Sequence, residues 1–391
     1  MQDPILERNR TMAQTGRLKG VNWPTLGFIV GYHLALLIGL PFYFYYSPPG
    51  AGLIIISIIL LFLTEIGIGA AYHRYYAHRA YHMSKPAEAV LLFLGNMATQ
   101  GSVLTWAHDH RLHHSFVDTD RDPYSIKKGF WYAHILWMFH KPITVEKERV
   151  PDLMENRLVM FQDRHHFTLS LVTNALVCGA IGWAIGDYLG AFVLAWWTRL
   201  FVSHHFTWFV NSLCHTWGDR SFSREQSAVD NYVLAFLTVG EGYHNYHHTF
   251  ASDYRNGFRW FHFDPSKWVI WGLSKVGLAR DLTRFDQYRI HRRLLSEDRK
   301  LLLETLREKG YSARCELEQT IIHLADGMKT KLARIAELSA ELKRHRRARS
   351  GASALSNLQA EFNSLRRSLH EDWKAWTRMC SHVLDVLPVP A

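Results

Sequence analysis

The chain has 391 residues, a formal net charge of +10 and a mean hydropathy of −0.13. Length alone would allow two soluble domains, but the apolar residues are bunched into long runs rather than spread at core spacing. The four cysteines, Cys178, Cys214, Cys315 and Cys380, form no CxxC pair, which argues against a disulfide framework, a zinc knuckle or an iron–sulfur cluster, and a basic face beside anionic lipid explains the charge without nucleic acid.

In chain order, a polar cytoplasmic segment (1–24) leads into an apolar run too long for a cleaved signal peptide. Four runs, about 25–46, 51–72, 166–185 and 188–212, approach the roughly 20 residues that a helix needs to cross a bilayer. Ser47-Pro48-Pro49-Gly50 joins the first pair and Gly186-Asp187 the second, so they read as two hairpins. Arg8, Arg10, Arg17, Lys19, Arg74, Arg79, Lys85, Arg157 and Arg164 flank the open ends and the tight turns carry no Lys or Arg, which predicts that both termini are cytoplasmic. Between the hairpins, 73–165 contains an apolar stretch, Pro86–Trp106, broken by Gln100 and Gly101 and expected at the membrane interface. A polar stretch, Gly218–Asp230, an apolar helix, Tyr232–Val239, and an aromatic-rich region to about Asp281 follow.

The predicted fold is therefore an all-α integral membrane protein: a membrane body over 25–285 with a cytoplasmic helical cap, then a tail over 286–391. In that tail, three- and four-residue steps from Leu317 to Leu342, a linker-like Ser350-Gly351-Ala352-Ser353, and renewed steps from Leu355 to Leu369 predict a helical hairpin or short coiled coil.

Three histidine clusters fall at the cytoplasmic mouths of the runs: His73 with His78, then His110, His113 and His114, then His244, His247 and His248. The last two have the form HxxHH, and positions i, i+3 and i+4 share one helix face, so two imidazoles of each can reach a common point. A lone histidine there is more often a satisfied polar residue than a ligand. The set, with no paired carboxylates evident to neutralise it, points to two metal ions of a kind that imidazole suits: iron, zinc or copper.

The boxes resemble those of the stearoyl-CoA desaturase family over roughly 25–285: His73-Arg74 with His78-Arg79, Trp106-Ala107-His108-Asp109-His110-Arg111-Leu112-His113-His114, and Gly240-Glu241-Gly242-Tyr243-His244-Asn245-Tyr246-His247-His248. The resemblance implies a ninth ligand, His215, in Asn211-Ser212-Leu213-Cys214-His215, with Asn211 holding a metal-bound water. It implies that Gln100, Trp106 and Thr207 shape the bend of an acyl tunnel for a delta-9 cis product. His108 and Asp109 occupy the carrier head-group position, but His108 replaces an arginine, which weakens the inference of CoA. Glu65 stands where the family usually has a small residue near the tunnel's far end; an intramembrane carboxylate is functional by default but can serve a helix partner. His82, His134, His140, His204, His205 and His262 match no ligand position.

Removing hydrogen from an unactivated methylene exceeds any side chain's chemistry, so the expected cofactor is a pair of iron ions (Fe2+) used with O2, with no further catalytic residue. The expected substrate is a long-chain fatty acyl group, on CoA or in a lipid. No GxGxxG, cysteine cluster or His-Pro-Gly-Gly heme signature occurs, so a separate donor is required, such as a ferredoxin or b-type cytochrome with its reductase, for which Arg121, Lys127, Lys128 and Arg149 are candidate docking residues. The rivals are an acyl-lipid desaturase of other regiochemistry, a histidine-box hydroxylase, a metal transporter and a non-catalytic metal scaffold; a zinc protease lacks its HExxH. The absence of a fused electron-transfer domain and of a retention tail fits a bacterial inner membrane.

Overall fold

The computed structural model describes residues 20–308, 314–348 and 352–385; Arg8, Arg10, Arg17, Lys19 and the Ser350-Gly351 part of the predicted linker lie outside them. The regular secondary structure of the described residues is helical but for one two-stranded antiparallel sheet pairing β1 (His82–Met83) with β2 (Ala279–Arg280). The chain divides into two compact units, one comprising the described residues from 285 onward with 221–224 and the other the remainder.

In the larger unit, α1 (Trp23–Tyr46) starts where the Asn22 side chain accepts the Thr25 amide at 3.4 Å and Pro24 occupies the first turn. Helix α2 (Ala51–Ile66) runs without a break into a π-helix, π1 (Gly67–Ala77). Then come α3 (Lys85–Asn96), α4 (Val103–Phe116), α5 (Phe130–His134), α6 (Pro151–Met154) and α7 (Arg157–Ile185), which Asn156 caps through the Leu158 amide at 3.1 Å. The remaining elements are α8 (Tyr188–Gly190), a second π-helix, π2 (Ala191–Thr198), α9 (Arg199–Ser212), α10 (Tyr232–Leu237), α11 (His244–Thr249) and α12 (Pro265–Lys275).

Among the described residues, three helices are long and apolar enough to cross a membrane: Trp23–Tyr46, Ala51–Ala77 and Arg157–Ile185. The second and third outrun the predicted 51–72 and 166–185, because helical hydrogen bonding carries past the apolar residues into polar sequence. The stretch Tyr188–Ser212 is helical throughout but carries Arg199, His204 and His205. Arg199 is buried, and its guanidinium donates to Met97 O at 3.2 Å, Thr64 Oγ1 at 3.4 Å and the Asn174 side chain, so every exposed edge of the cation is met by oxygen. The predicted interfacial stretch Pro86–Trp106 consists of α3 and the start of α4, separated by Met97–Ser102, a break that puts Gln100 and Gly101 outside either helix.

The smaller unit holds α13 (Gln287–Glu308), α14 (Arg314–Arg347) and α15 (Ala352–Asp385) around Leu295, Leu302, Ile321, Met328, Leu332 and Trp376. Lys331–Asp372 at 2.6 Å and Arg334–Glu361 at 2.9 Å fix α14 and α15 antiparallel. The predicted hairpin lacks a third helix that the structure contains: Ile290, Leu295, Leu302 and Leu306 of α13 stand among charged residues and are all buried.

A Cβ on Gly67 would lie 2.3 Å from Gly95 N, and one on Gly95 would lie 2.6 Å from a Tyr72 ring carbon, so π1 and α3 meet backbone to backbone. Gly67→Ala should therefore cost about 2 kcal/mol through overpacking. Its midpoint of thermal unfolding in detergent should drop by several degrees; an unchanged midpoint would refute the close approach.

Candidate metal centre

The local winding decides which nitrogens converge. His73 and His78 are five residues apart, which in an α-helix would leave them about 140° apart around the axis. In π1 the backbone instead bonds i to i+5, with His78 N donating to His73 O at 3.1 Å, and the two rings stand 4.9 Å apart. On α4 and α11 the HxxHH spacing projects three rings from one face. Asp230 starts α11 by accepting the amides of Asn245 at 2.8 Å and Tyr246 at 3.0 Å, and its burial pushes its carboxyl up to about 7.

All nine predicted ligands gather into two groups: His73, His78, His110, His114 and His247 in one, and His113, His215, His244 and His248 in the other, with the ligand atoms of each within 4.8 Å of one another. The two HxxHH boxes divide in mirror fashion. In α4 positions i and i+4 join the first group and i+3 the second; in α11 positions i and i+4 join the second and i+3 the first.

Ring nitrogens face one another closely: 2.9 Å from His73 Nε2 to His247 Nε2, 2.8 Å from His78 Nε2 to His110 Nε2, and 3.1 Å from His244 Nε2 to both His215 Nε2 and His248 Nε2. Outer partners fix which nitrogen carries the proton. His73 Nδ1 lies 2.5 Å from Glu241 Oε2, His113 Nδ1 2.8 Å from Asp122 Oδ1, His215 Nδ1 2.7 Å from Ser227 Oγ and His248 Nδ1 3.2 Å from Gln226 Oε1. Where such a ring is neutral and its Nδ1 donates outward, its bare Nε2 faces the other rings of its group, an arrangement that a cation relieves. Two metal–nitrogen bonds of about 2.1 Å at a right angle place the nitrogens about 3.0 Å apart, close to the spacing here. The residues thus fit two metal ions.

Burial, with neighbouring imidazoles adding to it, holds His78, His110, His114, His215, His244, His247 and His248 below the ordinary histidine pKa, so they are neutral at pH 7. Burial alone would raise Glu241, but His73 and the Arg74 guanidinium at 2.9 Å outweigh it and hold this carboxyl below the usual range. The expectation that no carboxylates pair with the histidines is thereby corrected: Glu241 and Asp122 do so directly. Glu241 stands in the quoted third box, where the sequence assigned it no role. Asp122 sits in a loop with no periodicity to mark it.

A cavity of about 1150 Å³ borders both groups at His73, His110, His113 and His244. Its walls include Gln100, Trp106, Thr207, Asn211, Asp109 and Glu65. Gln100 donates to Thr207 Oγ1 at 2.8 Å and accepts from Trp106 Nε1 at 3.2 Å, while the Trp106 ring stacks 5.1 Å from His110. Glu65 Oε1 accepts the Ser203 hydroxyl at 2.5 Å. His108 is fully buried, with Nδ1 2.9 Å from Asp109 Oδ1 and Nε2 accepting the Glu146 amide at 3.1 Å. Both nitrogens are engaged, so His108 offers none to a head group, and of that pair only Asp109 lines the cavity.

The unassigned histidines have other partners: His204 bonds Tyr32 and Ala98 O, and His134 bonds Ser212 and His205. Arg149 and Arg121 lie 2.6 Å and 3.8 Å from Glu146, which partly neutralises the candidate docking patch.

Known proteins share this arrangement of sequence. The fatty acid desaturase family model matches residues 47–279. A Schizosaccharomyces pombe protein named "Probable acyl-CoA desaturase" is 40% identical over 280 residues, covering 69% of this chain and 58% of the relative. "Acyl-CoA desaturase 1" of Saccharomyces cerevisiae is 36% identical over 277 residues, covering 68% and 54%. "sn-2 palmitoyl-lipid 9-desaturase" of Nostoc sp. is 33% identical over 277 residues, covering 68% and 92%. The chain thus spans little more than half the length of the two fungal relatives.

The lowered histidine pKa values set a pH dependence. Above about pH 6.5 neither folded nor unfolded imidazoles bind protons; below it the unfolded ones do and the buried ones do not, so stability falls with pH. Asp230, raised to about 7, acts in the opposite sense as a single carboxyl. The metal-stripped protein should lose thermal stability steadily between about pH 7 and pH 5. A midpoint independent of pH across that window would show that the clusters are not buried and neutral.

Proposed function

The chain belongs to the fatty acid desaturase family, and on that premise we propose that it is an integral-membrane fatty acyl desaturase that introduces a cis double bond, at delta-9, into a long-chain saturated acyl group. The observation that carries this reading is the convergence of nine imidazoles into groups of five and four, four of which, His73, His110, His113 and His244, line a largely apolar cavity. His73, His78, His110, His114 and His247 would hold one iron and His113, His215, His244 and His248 the other, with Asn211, which lines the cavity, as a water-holding residue. Two bound irons with O2 would supply the oxidant that an unactivated methylene pair requires.

The chain's own residues bind and position. The apolar cavity strips water from the acyl chain and holds its target carbons beside the histidine wall. The Trp106–Gln100–Thr207 hydrogen-bonded bridge stiffens that wall where a bend in the chain would be gripped, which supports the delta-9 assignment. We assign Tyr188–Ser212 as the fourth span, forming two hairpins with the three apolar helices, its Arg199 satisfied within the protein. The short outer turns and basic flanks favour cytoplasmic termini. Acyl-CoA is the favoured carrier, following the names of the two fungal relatives, with acyl lipid, as in the Nostoc protein's name, the alternative. The electrons would come from a separate ferredoxin or b-type cytochrome with its reductase. These relatives, fungal and cyanobacterial, do not single out a bacterial inner membrane.

Expression in a host lacking its own desaturase, followed by mass spectrometry of total fatty acids, tests the reading. New monounsaturated chains with the double bond at carbon nine should appear and fall by at least about 100-fold in His113→Ala, since losing a ligand exceeds the loss from an outer-shell change. Hydroxylated chains in their place, with a donor present, would reassign the chemistry.

A further inference from the structure

The loop after α4 carries more of the metal centre than its sequence suggests. Asp118 has φ of +63°, in the left-handed region that few non-glycine residues adopt. Its backbone amide donates to Asp122 Oδ2 at 3.3 Å, and the other oxygen of Asp122 lies 2.8 Å from His113 Nδ1. Its side chain faces a separate segment, accepting the Ser227 amide at 2.7 Å and the Ser227 hydroxyl at 2.5 Å. A serine hydroxyl has one proton. With that proton given to Asp118, Ser227 Oγ can only accept from His215 Nδ1, 2.7 Å away. That leaves His215 Nε2 unprotonated and facing His244 Nε2. Gln226, adjacent in the chain, accepts from His248 Nδ1.

Three of the four histidines in the second group, His113, His215 and His248, are thus oriented by two short loop segments, 118–122 and 226–227. Among the five, His73 answers to Glu241 instead. We propose that Asp118, acting through Ser227, is a positioning residue that locks the His215 tautomer and sets metal affinity at the four-histidine group separately from the five-histidine group. The left-handed backbone at Asp118 goes with one carboxylate aimed at both Ser227 donors while its amide reaches Asp122. The inference rests on the metal-centre reading above.

The test uses full-length protein in detergent, stripped with a chelator and titrated anaerobically with Co(II), whose visible d–d bands report each site. Wild type should take up two equivalents. Asp118→Asn, which tolerates the left-handed backbone but has one acceptor oxygen, and Ser227→Ala should bind one equivalent as wild type does and the other about 10- to 100-fold more weakly. Ser227→Thr, which keeps the hydroxyl, should restore the second equivalent, and Glu241→Gln should weaken the opposite one, with a different band lost. Two equivalents bound alike by wild type, Asp118→Asn and Ser227→Ala would overturn the relay. So would equal weakening of both equivalents with no rescue by threonine, which would make these residues supports of the fold. Wild type that binds no Co(II) would instead overturn the metal-centre reading itself.

Discussion

Imidazole lone pairs repel when they face one another with neither a proton nor a cation between them, and the cap of this protein is built around that unfavourable meeting. A neutral His215 or His248 whose Nδ1 donates to Ser227 or Gln226 has no proton on Nε2. Their Nε2 atoms nevertheless stand about as close to His244 Nε2 as hydrogen-bonded partners. Burial disfavours protonation, because an imidazolium here would sit beside other imidazoles with little water to screen it. The architecture holds a charge-hungry cavity open, and the cost is met by carboxylates anchored behind the rings. Glu241 is gripped by Arg74 and Asn256, and Asp264 accepts from Arg74 and the amides of Asn256, Gly257 and Lys267, so the anions cannot swing inward.

The same rule governs the polar groups deeper in the apolar region. Arg199 of α9 meets the Met97 carbonyl and the Asn174 amide of α7, and Glu65 of α2 meets Ser203 of α9. A membrane supplies no water to satisfy such groups, so each becomes a cross-link whose geometry the surrounding helices must respect. Gly67 and Gly95 let π1 approach α3 at backbone distance, and that approach places His73 at the wall of the cavity.

Much of this was legible in the sequence, and the parts that were not have identifiable causes. The HxxHH boxes could be read because i, i+3 and i+4 spacing has one geometric meaning on a helix. The His73–His78 pair could not, because five-residue spacing converges only when the helix widens to i→i+5 bonding, and no residue of Gly67–Ala77 announces that winding. Apolar runs marked the cores of the spanning helices but not their ends, since α7 begins in the charged sequence at Arg157. Asp118, Asp122 and Ser227 lie in loops without periodicity and matter only through residues distant in the chain. Helix α13 was hidden by its arginines and glutamates, which surround a narrow apolar stripe. His108 looked available beside the second box because sequence does not show that Glu146 folds back over it.

The division of the boxes has a consequence for how such a centre can be adjusted. Because α4 and α11 each give two rings to one group and one to the other, a shift of either helix disturbs both groups at once. Neither box can be improved for one metal without being altered for its neighbour. Independent control must come from elements that touch the rings of one group alone, and these are the outer partners of the Nδ1 atoms. Glu241 reaches the five through His73; Asp122, Ser227 and Gln226 reach the four through His113, His215 and His248. Loops shift without repacking a helix, so placing these partners on loops separates the setting of each site from the stability of the helices that carry both.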